Sequence, residues 1–272
     1  MTDRMQVFRR KELEQIHDAS MEILRSVGVQ FTSTRALELF RRHGFRIEGS
    51  CVFFTEKTIA EVLQTIPSRF TVSARNPECN VSIGEDDFVF LPTGGAPNVS
   101  TLMGERRPAT LEDYRTCCKL VQTSDQLDMN GALMVQPNDV PAETAHLDLL
   151  LANALLCDKA YVGLAINRKA ARDCLDMAAI VWGGPENLKK QGVMTTIVSV
   201  SSPLKYADDE AEGIIVMAEA GQPLVITDLV MAGTSGPVSL PSLLALANAE
   251  ILAGIVLSQL AGPGTPVVYG SV

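Results

Sequence analysis

The segment 224–272, LVITDLVMAGTSGPVSLPSLLALANAEILAGIVLSQLAGPGTPVVYGSV, limits the fold more than any other part of the chain. An apolar run leads into a glycine-rich turn, and Pro241 opens a long apolar stretch. Gly-Pro-Gly then breaks that stretch before a second apolar run. Proline suits the first turn of a helix and glycine its end, so the order reads strand, turn, helix, strand. That is one unit of a parallel sheet. Strand-like runs at 129–135, 160–166, 194–200, 224–231 and 265–270 alternate with helical stretches over Ala142–Leu156, Ala170–Trp182, Ala207–Ala220 and Leu240–Ala261. Near-continuous apolar runs belong to strands covered on both faces. A repeat of about 30–40 residues suits a (β/α) barrel or a doubly wound sheet. No GxGxxG follows a strand and no GxxxxGK[ST] occurs, which disfavours the nucleotide-binding versions. The expected fold is therefore α/β, a (β/α)8 TIM barrel. With five or six strands against the eight a barrel needs, it is expected to be C-terminally truncated. With the sheet edge at Thr265–Gly270 exposed, residues 1–272 expressed alone are expected to be unstable or to aggregate.

The first part of the chain has another texture. Leu13, Ile16, Ser20 and Val27 recur at helical spacing up to Gly28. Ser33 or Thr34 opens a second helix through Phe40, and Thr55 caps a third that Pro67 ends. Short β runs follow: FTVSA, CNVSI, FVFL and NVSTLM. Thr110 with Asp113 resembles a capping box, opening a helix to about Val121. The expected division is an N-terminal α+β domain over 1–108 and the first part of the barrel over 109–272.

Charge and cysteine usage narrow the function. A formal charge of -9 leaves no basic stripe for phosphates, so no nucleic acid partner is expected. The 6 cysteines show irregular spacing with no CxxC and no His-x-Cys, pointing to reduced thiols and no zinc or other metal site. Leu240–Ala261 is apolar enough to suggest a membrane span. Asn248 and Glu250 sit at its centre, however, where an acid costs roughly 3 kcal/mol on insertion. A buried helix or subunit interface fits better, and a homo-oligomer is expected. Met1–Arg10 is polar and does not read as a signal peptide; a cytoplasmic protein is expected.

In a barrel, reactive groups project from the C-terminal ends of the strands. Those positions hold Gln136-Pro137-Asn138-Asp139, Asn167-Arg168, Ser201 to Tyr206, Gly233 to Pro237, and Tyr269-Gly270-Ser271, with Asp228 inside the fourth strand. The substrate-facing candidates are Gln136, Asn167, Ser201, Tyr206, Asp228, Thr234, Ser235, Gly236 and Tyr269. Amides and hydroxyls dominate this set, and His17, His43 and His146 all fall outside it. Ser–His–Asp hydrolysis is poorly supported, and so is a Schiff base, since Lys205 sits in a loop. Asn138 and Asp139 are equally readable as caps of the helix after Pro141. The GTSGP turn has two readings, an anion-binding helix N-terminus or a tight turn that needs glycine. Asp208, Asp209, Glu210 and Glu212 read as complements of a helix dipole rather than as metal ligands.

Four segments, in this order, resemble the trimethylamine–corrinoid methyltransferase family, which includes enzymes for quaternary amines such as glycine betaine. They are IHDASMEILRSVGV, LPTGGAPNV with GERRPATLEDY, QPNDVPAETAHL, and AGTSGPVSLPSLLALANAEILAGIVLSQLAGPGTPVVYG. The resemblance implies a TIM barrel that moves a methyl group from a methylated amine to the Co(I) corrinoid (cobalamin) of a partner protein. It places Gly94 and Gly95 on the corrinoid side. Tyr206, Tyr269 and Asp228 are then candidates to hold the substrate cation. On this reading Asp228, Tyr206 and the GTSGP turn line one cavity. The competing classes are an unrelated barrel lyase or isomerase acting on a carboxylated substrate, and a non-catalytic amine-binding barrel.

Overall fold

A computed structural model describes residues 6–92 and 94–270; Thr93 and Ser271, which belong to two of the motifs above, lie outside it. In chain order the first part holds α1 (Arg10–Ser26), β1 (Val29–Phe31), α2 (Thr34–Arg42), β2 (Arg46–Glu48), β3 (Cys51–Phe53) and α3 (Glu56–Leu63). There follow β4 (Arg69–Val72), β5 (Val81–Gly84), β6 (Asn98–Ser100), β7 (Arg106–Pro108), α4 (Leu111–Thr123) and β8 (Met129–Asn130). Next come α5 (Ala145–Leu156), β9 (Ala160–Gly163), α6 (Arg168–Trp182), α7 (Pro185–Leu188) and β10 (Thr195–Ser199). The last are β11 (Lys205–Tyr206), α8 (Asp208–Glu219), β12 (Leu224–Thr227), α9 (Leu240–Ala261) and β13 (Val267–Tyr269).

Local chemistry sets the helix starts. Ser33 Oγ accepts from the Ala36 amide at 3.2 Å, and Thr55 Oγ1 from the Thr58 amide at 3.2 Å. Thr110 and Asp113 form the capping box that the sequence predicts. Arg107 reinforces it with paired bonds of 2.6 and 2.8 Å to the Asp113 carboxylate. That guanidinium, with Thr110, holds the Asp113 carboxyl well below the usual carboxylate range.

Five strands form a parallel sheet in the order β13-β12-β10-β9-β8. Neighbours in space follow chain order, as right-handed crossovers through helices require. Among the described residues this sheet is open, not a closed barrel, because five strands cannot complete the ring of eight. Along β10 the burial alternates, with Val198 buried and Ile197 and Ser199 exposed. One face therefore packs on helices and the other looks into the hollow of the curved sheet.

A second sheet, β11-β1-β3-β2, joins distant parts of the chain. β11 lies in what the sequence predicts to be a loop, yet it pairs in parallel with β1, Gln30 against Lys205 and Phe31 against Tyr206. One apolar core runs from Met21, Phe31 and Phe40 through Ile214 and Met217 to α9. The four rings Phe31, Phe40, Phe45 and Phe54 meet tilted or edge-on at centroid distances of 4.8–5.6 Å. α9 packs against α1, α2, α3, α8 and β12, and Ala245 through Gln259 lies buried apart from Asn248. It is long and apolar enough to cross a membrane, but its surroundings are protein.

Other expectations need correction. FVFL is not a strand: Phe90 instead exchanges bonds with Asp128, its amide with Oδ2 at 2.7 Å and its carbonyl with the Asp128 amide at 2.8 Å. NVSTLM is strand only over Asn98–Ser100, because Thr101–Gly104 turns back to form a hairpin with β7. The parallel strands are also shorter than the apolar runs, since ladder pairing stops where the chain bends into the loops.

Candidate functional site

The segments that follow β8 and β9, with Ile197 of β10 and residues 91–92 and 94–95, border a hollow of about 230 Å³. Leu91, Gly94, Gly95, Leu133, Ile166 and Ile197 are among its walls. Backbone contact accounts for the glycine pair. A Cβ on Gly94 would sit 2.7 Å from the Leu133 carbonyl oxygen, and Gly95 has φ +86° with its amide donating to that oxygen at 2.6 Å. The pair thus lets residues 94–96 run beside the end of β8, where Ala96 bridges Val135.

Asn138 is a clasp. Its Nδ2 donates to the carbonyls of Pro97, Ala109 and Gln136 at 3.0, 3.2 and 3.0 Å, and its amide bonds the Ala109 carbonyl at 2.8 Å. The β6–β7 hairpin is therefore rooted at the mouth of the hollow. Asp139 caps α4, accepting from the Leu111 amide at 2.8 Å. Neither residue caps α5, which corrects that reading. Gln136 is exposed beside this clasp, held by its own amide to the Ala96 carbonyl at 2.9 Å.

Three nominated groups are engaged elsewhere. Asn167 caps α6, with Oδ1 accepting from the Ala170 amide at 2.9 Å. Ser201 donates to Glu210 at 2.7 Å. In the GTSGP turn, the amides of Thr234, Ser235 and Gly236 all point at the Met231 carbonyl, at 3.1, 3.1 and 3.0 Å, and Ser235 Oγ accepts the Met231 amide. Those donors are spent inside the turn, and α9 starts only at Leu240. Amides satisfied within the turn fit the tight-turn reading.

The structure does bring Tyr206, Asp228 and Tyr269 together, around Asn248–Glu250 of α9. Tyr206 is fully buried and its hydroxyl donates to the Glu250 carbonyl at 3.1 Å. Its ring stacks on Phe31 at 5.1 Å and 4°. With that face covered, Tyr206 is a core residue rather than an aromatic wall for a cation. Burial, with the carboxylates of Glu250, Glu210 and Asp228, pushes its phenol well above the ordinary value. Tyr269 is half exposed, and its hydroxyl donates to Asn248 Oδ1 at 3.0 Å. Burial, with Asp228, pushes its pKa up to about 12.

Asp228 shares the face of β12 that carries Ile226, which packs under Gly254 of α9. It is fully buried and neither carboxylate oxygen has a protein partner. The GTSGP turn does not join this group; its Gly236 lies against Leu243. Tyr206 and Asp228 are both fully buried, whereas Thr234 of the turn is exposed.

Sequence reasoning missed Glu250. Its Oε2 accepts from Ser202 Oγ at 2.6 Å and its Oε1 from the Leu204 amide at 2.7 Å, which fixes the loop after β10 from inside α9. Burial, with the Asp228 carboxylate, pushes its carboxyl above the ordinary value. The signal was an acid alone in a long apolar helix, where an unpaired charge needs a role. Away from this face, His146 is buried with Nε2 2.7 Å from Asp173, between α5 and α6. Among the described residues no group of three or more His, Cys, Asp or Glu is placed to hold a metal ion.

Comparison with known proteins converges. The trimethylamine methyltransferase (MTTB) family model matches residues 1–272. A glycine betaine methyltransferase of Desulfitobacterium hafniense is 42% identical over 96% of this chain and 54% of its own length. A proline betaine:corrinoid methyltransferase of Eubacterium limosum is 31% identical over 96% of this chain and 55% of its own. The chain spans about half the length of the curated relatives it matches. Among solved structures, the Methanosarcina barkeri monomethylamine methyltransferase (MtmB) superposes with a TM-score of 0.54 at 12% identity, over 97% of this chain and 65% of that one, which speaks for the fold alone. This chain belongs to the trimethylamine methyltransferase family.

Proposed function

We propose that the protein moves a methyl group from a methylated amine, a betaine foremost, to the Co(I) corrinoid of a separate corrinoid protein in the cytoplasm. The observation that carries this reading is the family match along the whole chain, with 42% identity to a glycine betaine methyltransferase. On the same reading the five parallel strands are the first staves of a (β/α)8 barrel, and the reaction takes place at their C-terminal mouth. The C–N bond breaks with its electron pair going to nitrogen, and Co(I) supplies both electrons of the new Co–C bond. A quaternary nitrogen leaves as a neutral amine, so no proton need move. The protein's work is then to align the donor methyl with cobalt. An apolar hollow bordered by Gly94, Gly95 and Ile197 suits methyl groups. The amides at Thr234–Gly236 are engaged by Met231, so they do not distinguish a betaine from another carboxylated substrate.

The test is optical. Free cob(I)alamin is mixed with the protein and, in turn, glycine betaine, proline betaine and trimethylamine, and loss of the Co(I) band is followed. A substrate-dependent, protein-dependent loss with at least one of these amines is expected. No loss with any of them, under conditions where the Desulfitobacterium relative is active, would overturn the proposal.

A further inference from the structure

Ser199 is the last residue of β10 and Thr227 the last of β12, and the parallel ladder sets them side by side. Side chains alternate along a strand. Ser199 therefore shares the face of Ile197, which borders the apolar hollow, and Thr227 shares the face of Val225, the ladder partner of Ile197. The opposite face carries Val198 and Ile226, both buried. Gly270 belongs to the hollow side, since a Cβ there would lie 3.3 Å from both Thr227 Cβ and Val225 Cγ1. Being glycine, it adds no side chain beside Thr227. The result is a wall in two tiers, apolar at Ile197 and Val225 and hydroxyl-bearing at Ser199 and Thr227, with about 7 Å between tiers.

The two hydroxyls differ. Thr227 is buried, and its Oγ1 donates to the Asp228 carbonyl at 3.3 Å. Ser199 is exposed, and its hydroxyl makes no hydrogen bond among the described residues. The serines that follow are engaged, Ser201 by Glu210 and Ser202 by Glu250. Ser199 thus offers a free donor next to the hollow. Among the described residues that border the hollow, none is charged. Such a wall strips a net cation of water and returns no counter-charge. A zwitterion brings its own. Its quaternary head has no N–H to satisfy and suits an apolar tier, whereas its carboxylate needs a donor.

We infer that Ser199 is a specificity-determining residue, whose hydroxyl donates to the carboxylate of a zwitterionic quaternary amine while the methyl groups rest against Ile197. This rests on the proposed function and goes past it, by assigning the preference for a carboxylated donor to one side chain.

Binding is measured by isothermal titration calorimetry on the purified full chain, with no corrinoid present. The ligands are glycine betaine and tetramethylammonium, which keeps the quaternary head and lacks the carboxylate. The parent is expected to bind glycine betaine the more tightly. Ser199→Ala is expected to weaken glycine betaine by roughly 10- to 100-fold, the range for a hydrogen bond to a charged group, and to leave tetramethylammonium unchanged. Ser199→Thr keeps the hydroxyl and is expected to keep the preference. Glycine betaine bound as tightly by Ser199→Ala as by the parent overturns the inference, and so does an equal loss for both ligands. A Ser199→Thr protein without the preference does the same, as does a parent that binds neither ligand. Methyl transfer to Co(I) is scored separately. A parent that demethylates glycine betaine while Ser199→Ala binds it undiminished removes this inference alone. A parent that binds glycine betaine through Ser199 but never transfers its methyl removes the proposed function alone.

Discussion

Gly254 in α9 offers a sharp test of how Tyr206 is held. A Cβ at this position would lie 2.7 Å from Tyr206 Cζ and 2.9 Å from Ile226 Cγ2, with the Tyr206 hydroxyl closer still. The ring has nowhere to go, because it is fully buried, stacked on Phe31 at 5.1 Å and tied by its hydroxyl to the Glu250 carbonyl. Helix propensity alone favours alanine by about 1 kcal/mol. Overpacking against a rigid ring costs about 1–3 kcal/mol, and a displaced hydroxyl forfeits about 1 kcal/mol more. Sterics outweigh propensity, and Gly254→Ala is expected to destabilise by about 2 kcal/mol, roughly 4–8 °C in Tm. Differential scanning calorimetry reads this directly. Tyr206→Phe removes the atom nearest the new methyl, so the cost of Gly254→Ala should shrink in that background, and the double-mutant cycle isolates the contact. A Gly254→Ala protein as stable as its parent would refute the placement of Tyr206 as a core residue beneath α9.

Asn138→Ala removes the three side-chain bonds that root the β6–β7 hairpin. It should cost roughly 1–3 kcal/mol and speed limited proteolysis in the turn at Thr101–Gly104. Arg107→Ala should release the Asp113 carboxyl toward its ordinary range. Since the depressed group stabilises above the unfolded value and loses that effect as pH falls through its own, parent and variant should differ at neutral pH and converge in acid, read by melting temperature. The purified protein should carry no stoichiometric zinc by elemental analysis, and its melting temperature should not respond to a chelator.

Much of the parallel sheet was legible because its strands and helices obey local rules. Pro241 opens the segment that becomes α9, Thr110 and Asp113 build the predicted cap, and apolar runs mark β9, β10 and β12. What stayed hidden was long-range. Nothing local in Lys205-Tyr206 announces a strand, since its pairing partner is β1, far away in sequence. The same pairing turned Tyr206 from a supposed cation wall into a core ring. At GTSGP, composition fits either an anion cradle or a closed turn, and the Met231 carbonyl contacts that fit the second are visible only in the fold. Asn138 looked like a cap because caps are local, whereas its partners lie in the Pro97 and Ala109 segment. Glu250 was visible as an anomaly in an apolar helix, but its role needed the loop that folds back over it.

The central claim is that a methyl group leaves an amine nitrogen intact and arrives on cobalt. Glycine betaine carrying deuterated methyl groups, incubated with the protein and a Co(I) corrinoid protein, tests this most directly by mass spectrometry of both products. The account predicts one fully deuterated methyl on the corrinoid for each dimethylglycine formed, with none in the absence of the protein. Deuterium that stays with the amine, or a betaine consumed without a labelled corrinoid, would contradict it.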